Sequence, residues 1–451
     1  MTIVGHPGDF VFPAARNTLG VEAAADIAII GAGAAGLFAS IWAGRAANAA
    51  GTPATIITLD GAKKLGAKVL VAGGGRCNVT HHAVDETQYA GSSRNAIKKV
   101  LRRFDVPQTV EFFREMGVEL KREDTGKLFP TTDDAHTVLS ALLEAANAAR
   151  VTLRHPWRVG SVRREGDQFI VEPAEGVMPA EPVRAHRLVL ATGGMALPKT
   201  GSDGGGYALA KSLGHTITPR VFPALVPLTL PKDHWICSLS GVTINATIDL
   251  RSGTGKKLRH FTNSTLLTHF GLSGPAPLDM SRYLTAARDD DKGARLTLNW
   301  LPGKTLEAVD ADLQQLGRVS PGRYLRESGL PDRLAEAICR AAGVDPSVQG
   351  HTIARDNRKN LAQMIVETPA PVTGDRGFTY AEVTAGGVPL GELHLETMES
   401  RVCPGLYLCG EICDVDGRIG GFNFQWAWAS GFVAGTAAAE SLSPAADPMN
   451  R

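Results

Sequence analysis

Only six cysteines occur in 451 residues, too few for a disulfide framework in a chain of this length. Cys403, Cys409 and Cys413 lie close together, but no histidine or second cysteine pair stands at zinc-ligand spacing, so no metal site is expected. Neither sign of charge is in excess: 47 Lys and Arg face 46 Asp and Glu, a formal net charge of +1. A basic footprint for nucleic acid or an acidic membrane surface is therefore missing. There is no internal repeat and no low-complexity segment. Ile27 to Gly44 is uncharged and long enough to tempt a membrane reading. Three glycines at strand–turn–helix spacing break it, Asp26 precedes it, and much of it is alanine. Cleavage as a signal would destroy that glycine pattern. A cytoplasmic location is the default expectation.

What is there points to a soluble globular protein of two or three domains, with 43% hydrophobic and 21% charged residues. The strongest signal is a pair of segments at opposite ends of the chain. Asp26-Ile-Ala-Ile-Ile-Gly31-Ala-Gly33-Ala-Ala-Gly36 reads as a buried strand, a glycine turn and the start of a helix. Gly405-Leu-Tyr-Leu-Cys-Gly410-Glu411, followed by Asp414 and Gly420-Gly421, repeats the strand-then-glycine pattern and adds a carboxylate. One dinucleotide held by both ends of the chain suits FAD better than NAD, whose domain completes its site without the far terminus.

The pattern between these ends is α/β. Asp26–Ile30, the helix 34–49 and the strand 54–59 ending at Asp60 make one βαβ unit. Helical spacing covers about 94–103, 106–116 and 134–149. Short strands are expected at 151–153, 159–162, 168–171 and 186–190. After about 196, prolines at 198, 219, 223, 227 and 231 punctuate short strand-like pieces. The expected organisation is an irregular arm at 1–20 and a discontinuous Rossmann-like domain at 21–195 and 371–451. An inserted β-rich domain covers 196–304 and 364–370, and a helical subdomain 305–363. The last helix is expected over 422–440.

Gly31 allows the tight turn, Gly33 lets backbone approach a pyrophosphate, and Gly36 packs helix on strand. The helix N-terminus then favours the diphosphate. Asp60 can accept from ribose hydroxyls. In the loop Gly73-Gly74-Gly75-Arg76-Cys77-Asn78, three glycines let backbone pass close to a flat ligand. Arg76 can face a phosphate or carboxylate, or form a structural salt bridge; Asn78 can bond a ring edge; Cys77 reads as a packed thiol. Glu411 can bind the ribityl hydroxyls of FAD. The helix opened by Gly420-Gly421-Phe422-Asn423 can stabilise charge on a reduced flavin. Cys409 and Cys413 read as packed thiols rather than a redox pair. His269 is the candidate for proton transfer, against the alternative of a loop-packing histidine, with the active site at the seam between domains.

These motifs together resemble the BaiN-like flavoproteins, NAD(P)/FAD-dependent oxidoreductases that include aminoacetone oxidase-type members. The resemblance is carried by Gly31-x-Gly33-x-x-Gly36, Lys68-Val-Leu-Val-Ala-Gly73-Gly-Gly-Arg-Cys-Asn78, Ala191-Thr192-Gly193-Gly194, Thr268–Pro275, Thr384-Ala-Gly-Gly387-Val388 and Gly410-Glu411-Ile-Cys-Asp414, running on to Gly420–Asn423. It spans residues 26 to about 435. It implies FAD on a Rossmann-like domain, with a β-barrel-like insert and a small helical part covering the flavin. Ala34, Ala35, Lys68, Gly74, Gly75, Cys77, Ala191, Thr192, Gly193, Gly387, Gly421 and Phe422 join the cofactor-binding set on this ground. Asp60 stands where such proteins carry Glu, and Phe422 where Tyr is common.

The expected function is an FAD-dependent oxidoreductase moving hydride through flavin N5 to or from a small organic substrate. The FAD is expected to be non-covalent, since no nucleophile is placed for attachment. No second GxGxxG follows a strand, so NAD(P)H, if used, docks transiently. An oxygen-using oxidase of amine-type substrates and a non-catalytic flavin redox sensor are the alternatives. Nucleic-acid and membrane partners are not expected.

Overall fold

The computed structural model describes residues 23–442, so the arm expected at 1–20 lies outside them. Ile27, Ala28 and Ile29 are fully buried, as a central parallel strand covered on both faces requires. Their strand, Ala23–Ile30, pairs in parallel with Ile56–Leu59 on one side and Val183–Leu190 on the other. Thr152–Arg154 extends the sheet beyond the former, and Leu406–Leu408 beyond the latter. The parallel order by first residue is 152, 56, 23, 183, 406. This is a Rossmann-like sheet, with its ligand crevice at the carboxyl ends of the strands. The expected hairpin forms from Val159–Glu165 and Gln168–Pro173 and pairs antiparallel with the first half of Val183–Leu190.

The two ends of the chain meet in one helix pair. Helix Ala34–Ala49 follows the first strand, and Phe422–Glu440 packs directly on it. An added Cβ at Gly431 would stand 2.7 Å from Ala35 O, and one at Gly435 would stand 2.1 Å from Ala39 O. Glycine at both positions lets the backbones touch, which fixes the C-terminal helix start beside the first glycine turn.

The chain leaves this domain through Phe222–Ala224 and returns through Val383–Ala385, two strands that pair antiparallel. Between them lies a seven-stranded antiparallel sheet whose long members are Thr243–Arg251, Lys257–Thr268 and Arg295–Asn299. Helices Leu306–Gln314, Pro321–Glu327, Asp332–Ala341 and Arg355–Val366 form the helical part. The insert has its own core, around Ile248, Leu267, Leu298, Trp300, Leu334 and Leu361.

The insert begins later than the prolines suggest. Helix Gly205–Ser212 buries Tyr207, Leu209 and Ala210 in the core of the Rossmann-like domain, and the second core starts at Leu228. The turns after 196 wrap the crevice instead of opening a new domain. Strand Lys257–Thr268 and helix Pro275–Asp290 gave no sequence signal. The strand is largely polar, and the helix carries proline at its first position, where the missing N–H costs nothing. Among the described residues, no helix is long and apolar enough to cross a membrane.

Candidate functional site

A cavity of about 1280 Å³ lies along the carboxyl ends of the parallel strands, touching Ile30, Leu59, Ala191 and Gly410, and reaches Leu225 and Glu382 at the seam with the insert. It exceeds the roughly 300–1,000 Å³ of ordinary small-molecule pockets, leaving room for a dinucleotide and a substrate. No cluster of metal-ligating side chains occurs among the described residues.

At one end the first glycine turn faces it. Gly31 has φ +104°, and an added Cβ would stand 2.4 Å from Ala191 O. A Cβ on Gly36 would meet Gly31 O at 1.8 Å; Gly36 packs helix on turn and does not line the cavity. Gly33 lines it, and nothing lies within 4 Å of its missing Cβ. Gly33 caps the following helix with no side-chain bond and no acid in the first turn, leaving the amide end beside Ala34 and Ala35 open to an anion. Asp60 also lines the cavity. Its Oδ2 accepts from Ala32 N–H at 2.6 Å and its Oδ1 from Ala62 N–H at 2.7 Å, so backbone orients the carboxylate and one lone pair per oxygen remains for a ribose.

Ala191, Thr192, Gly193, Gly410, Glu411 and Lys68 line the middle. Lys68 Nζ donates to Glu411 Oε2 at 2.6 Å, and Thr384 N–H donates to Oε1 at 2.9 Å. Glu411 therefore ties the last parallel strand to helix Ala67–Val71 and to the returning strand of the insert. The hydroxyls of Thr192 and Ser202, both cavity residues, are buried without a hydrogen-bond partner. Unpaired buried hydroxyls, an uncapped helix end and an open glycine are the features an FAD diphosphate and polyol chain would satisfy. The chain fits the cofactor. Replacing Glu411 with Ala removes a charged acceptor and strands Lys68. FAD affinity should fall by roughly ten- to a hundred-fold, at ~1.5–3 kcal/mol per charged hydrogen bond, in a fluorescence-quenching titration of apoprotein.

The other end is built by the triple-glycine loop and the last helix. Gly73, Gly74 and Gly75 have φ of 59°, 71° and 87°. Gly73, Gly74, Arg76 and Asn78 line the cavity; Gly75 and Cys77 do not. Cys77 is fully buried, and burial pushes its thiol up to about 12. Arg76 takes the structural alternative: Nη1 donates to Glu123 Oε1 at 2.6 Å, and its guanidinium lies 4.0 Å over the Phe129 ring. Asn78, with its amide oxygen accepting from Gly421 N–H at 3.0 Å and its nitrogen donating to Thr80 O at 2.9 Å, couples the loop to the C-terminal helix. Gly421 and Asn423 line the cavity, but Asn423 brackets Gly417, accepting its N–H at 2.7 Å and donating to its carbonyl at 2.9 Å.

Three further residues of the expected set lie away from the cavity. Phe422 stacks on His81 at 4.9 Å, its carbonyl accepting from Tyr89 Oη at 2.8 Å. Gly387 packs under Ile412, where a Cβ would stand 2.5 Å from the carbonyl oxygen. His269 sits exposed on the turn between Lys257–Thr268 and Gly271–Ser273, edge-on to Phe270, and does not line the cavity. The turn-rich stretch around it is a hairpin leading into helix Pro275–Asp290, which accounts for its glycines without an acid–base role. Cys409 and Cys413 are buried; burial pushes Cys409 up to about 12 and Cys413 well above the ordinary thiol range, as for packed thiols.

Sequence reasoning missed Lys127, Glu382 and Arg418, all at the seam end of the cavity. Arg418 is spent on both sides of the seam: Nε and Nη2 donate to Asp279 Oδ2 of the insert at 3.0 and 2.9 Å, and Nη1 to Gln88 Oε1 of the Rossmann-like domain at 3.0 Å. Glu382 stands two residues before the Thr384 motif, with nothing local to mark it.

The profile of a family described as HI0933-like protein Rossmann domain matches residues 25–437. A 3-dehydro-bile acid delta(4,6)-reductase of Clostridium scindens is 33% identical over 92% of this chain and 99% of its own. A ribosomal RNA dihydrouridine synthase of Escherichia coli is 33% identical over 90% of this chain and 96% of its own. In fold alone, the chain is similar to the 3-ketosteroid delta1-dehydrogenase of Sterolibacterium denitrificans, at 13% identity and a TM-score of 0.50, covering 93% of this chain and 100% of that one.

Proposed function

The chain belongs to the HI0933-like Rossmann family and is an FAD-dependent oxidoreductase, and from that premise we propose that it saturates a carbon–carbon double bond conjugated to a carbonyl group in a small organic molecule. One observation carries this reading. The two relatives are named for chemically unrelated skeletons, yet their names share one reaction. The 3-dehydro-bile acid of the first name carries a ketone at position 3, and delta(4,6) denotes double bonds at positions 4 and 6 conjugated with it. Dihydrouridine is uridine with the ring double bond beside a carbonyl saturated. The common element is hydride addition to an activated alkene.

Bound FAD would supply the hydride. The chain's own residues hold the cofactor at Gly33, Asp60, Thr192, Ser202, Lys68 and Glu411 and present the substrate at the seam. The donor is NAD(P)H docking transiently at the flavin face, since no second dinucleotide turn is available. Uridine in ribosomal RNA is a second reading, favoured by the E. coli relative. The net charge of +1 supports the small molecule, because RNA affinity draws on neutralised phosphates.

Heat-denatured protein should release FAD into the supernatant. Under argon, the holoprotein should oxidise more than one equivalent of NADH or NADPH per flavin only when a conjugated enone is present, giving a product heavier by two hydrogens. Amine-dependent oxygen consumption with no enone reduction would overturn the reading, and dihydrouridine formation in ribosomal RNA alone would transfer it to the second one.

A further inference from the structure

We propose that Glu382 is the proton donor to the substrate carbon and that Lys127 holds the substrate's carbonyl oxygen. This rests on the enone reading and deepens it by naming the groups that complete the reduction. Glu382 N–H donates to Leu225 O at 3.1 Å, and Thr384, two residues on, donates its N–H to Glu411 and accepts from Met195 and Ala196 N–H at 2.7 and 3.0 Å. The backbone is therefore pinned on both sides, and the carboxyl opens into the cavity. Lys127, on strand Lys127–Pro130, opens into the same cavity.

Neither side chain has a hydrogen bond or ion pair with any described residue. Glu382 is exposed to the cavity and Lys127 is half-buried along it, so what meets both charges is the content of the cavity and not a protein partner. Two charges that face a common space without meeting are placed for a polar ligand between them. Burial raises the Glu382 carboxyl above its ordinary value, Lys127 from its strand and Lys68 from helix Ala67–Val71 pull it down, and Asp279 from helix Pro275–Asp290 pushes it up. The nearby Arg418 is committed to Asp279 and Gln88. Histidines near this end are also occupied. Both ring nitrogens of His81 contact carbonyls, of Ala83 and Thr125, and His82 Nδ1 contacts that of Gly126. Glu382 is the group left to carry a proton.

The step balances as follows. Hydride supplied by the reduced cofactor forms a C–H bond at the alkene carbon remote from the carbonyl. The alkene pair moves toward oxygen, giving an enolate whose charge Lys127 stabilises. The O–H bond of Glu382 breaks, and its proton forms the second C–H bond at the carbon next to the carbonyl. Glu382 regains a proton from water. The substrate gains two electrons and two hydrogens, and NAD(P)H restores the cofactor.

The test separates half-reactions of the holoprotein. Glu382→Gln should keep FAD and be reoxidised by ferricyanide at the wild-type rate, while reoxidation by cyclohexenone slows by about 10²-fold. The wild-type enone rate should fall as pH rises through the raised value of Glu382, and Glu382→Gln should lose that limb. A readout free of turnover comes from 4-nitrophenolate, a stand-in for the enolate, titrated into oxidised holoprotein by its absorbance. Lys127→Met should weaken its binding by about tenfold or more. A wild-type protein that no enone reoxidises sinks the enone reading itself. Wild-type reoxidation with unchanged rate and pH profile in Glu382→Gln removes Glu382, and unchanged phenolate binding in Lys127→Met removes Lys127.

Discussion

Replacing Gly33 with valine should strip FAD from the protein while leaving it folded. Gly33 has φ −77° and ψ −171°, extended backbone that any residue adopts, and nothing stands within 4 Å of its missing Cβ. The protein therefore loses nothing by gaining a side chain there. The space the valine fills is the mouth of the uncapped helix, where the diphosphate must touch backbone N–H groups. Losing two or more charge-assisted bonds, at ~1.5–3 kcal/mol each, should lower FAD affinity by about 10³-fold. Gly31→Val is the contrast, because its Cβ would stand 2.4 Å from Ala191 O at φ +104°. That variant should fail to fold. Circular dichroism of the apoproteins and FAD titration check both statements. A Gly33→Val protein that binds FAD normally would move the diphosphate elsewhere.

Arg282→Met should loosen the seam between the domains, and more so at high pH. Asp416, fully enclosed on strand Val415–Gly417, accepts from Arg282 Nη2 at 2.8 Å, and Arg282 belongs to helix Pro275–Asp290 of the insert. Burial raises Asp416 to about 6 even though Arg282 pulls it down, with Asp414 and Glu411 pushing it up. Without Arg282 its folded-state value rises further above the unfolded one. An acid with a raised folded value loses stability as pH climbs above its unfolded value, because ionisation is then favoured only in the unfolded chain. The variant should lose about 3 kcal/mol at pH 8, the lower end for breaking a buried pair, and clearly less at pH 5, where the carboxyl is protonated in the fold. Denaturant melts at the two pH values measure this. Equal losses at both would mean that Asp416 is not the group strained by the missing arginine.

The scaffold was legible wherever the backbone itself writes the sequence. Gly31 and Gly36 are glycines because neighbouring carbonyls leave no room for a Cβ. The strand before them is continuously apolar because both faces are covered. The last strand and helix announce themselves by the same signals. What sequence could not show is how polar side chains are spent. Arg76 is held by Glu123, Asn423 by Gly417, and Asp60, expected to accept from a ribose, also accepts from Ala32 N–H in the glycine turn. Those pairings depend on approach in space, not on spacing. His269 drew attention by residue type and proved to sit on an exposed turn. Lys127 and Glu382 drew none, because their only distinction is a cavity that residues far apart in sequence enclose together.

The most direct measurement of the central claim needs no knowledge of the natural donor. Holoprotein reduced by dithionite under argon, freed of excess reductant, is mixed with a 3-oxo steroid bearing a conjugated double bond, and the flavin absorbance is followed as the product is weighed. The account predicts that the oxidised flavin spectrum returns and one equivalent of steroid gains two hydrogens, while a steroid with an isolated double bond does neither. Flavin that stays reduced with every conjugated carbonyl compound tried, yet reoxidises at once in air, would contradict it and leave an oxidase on this fold.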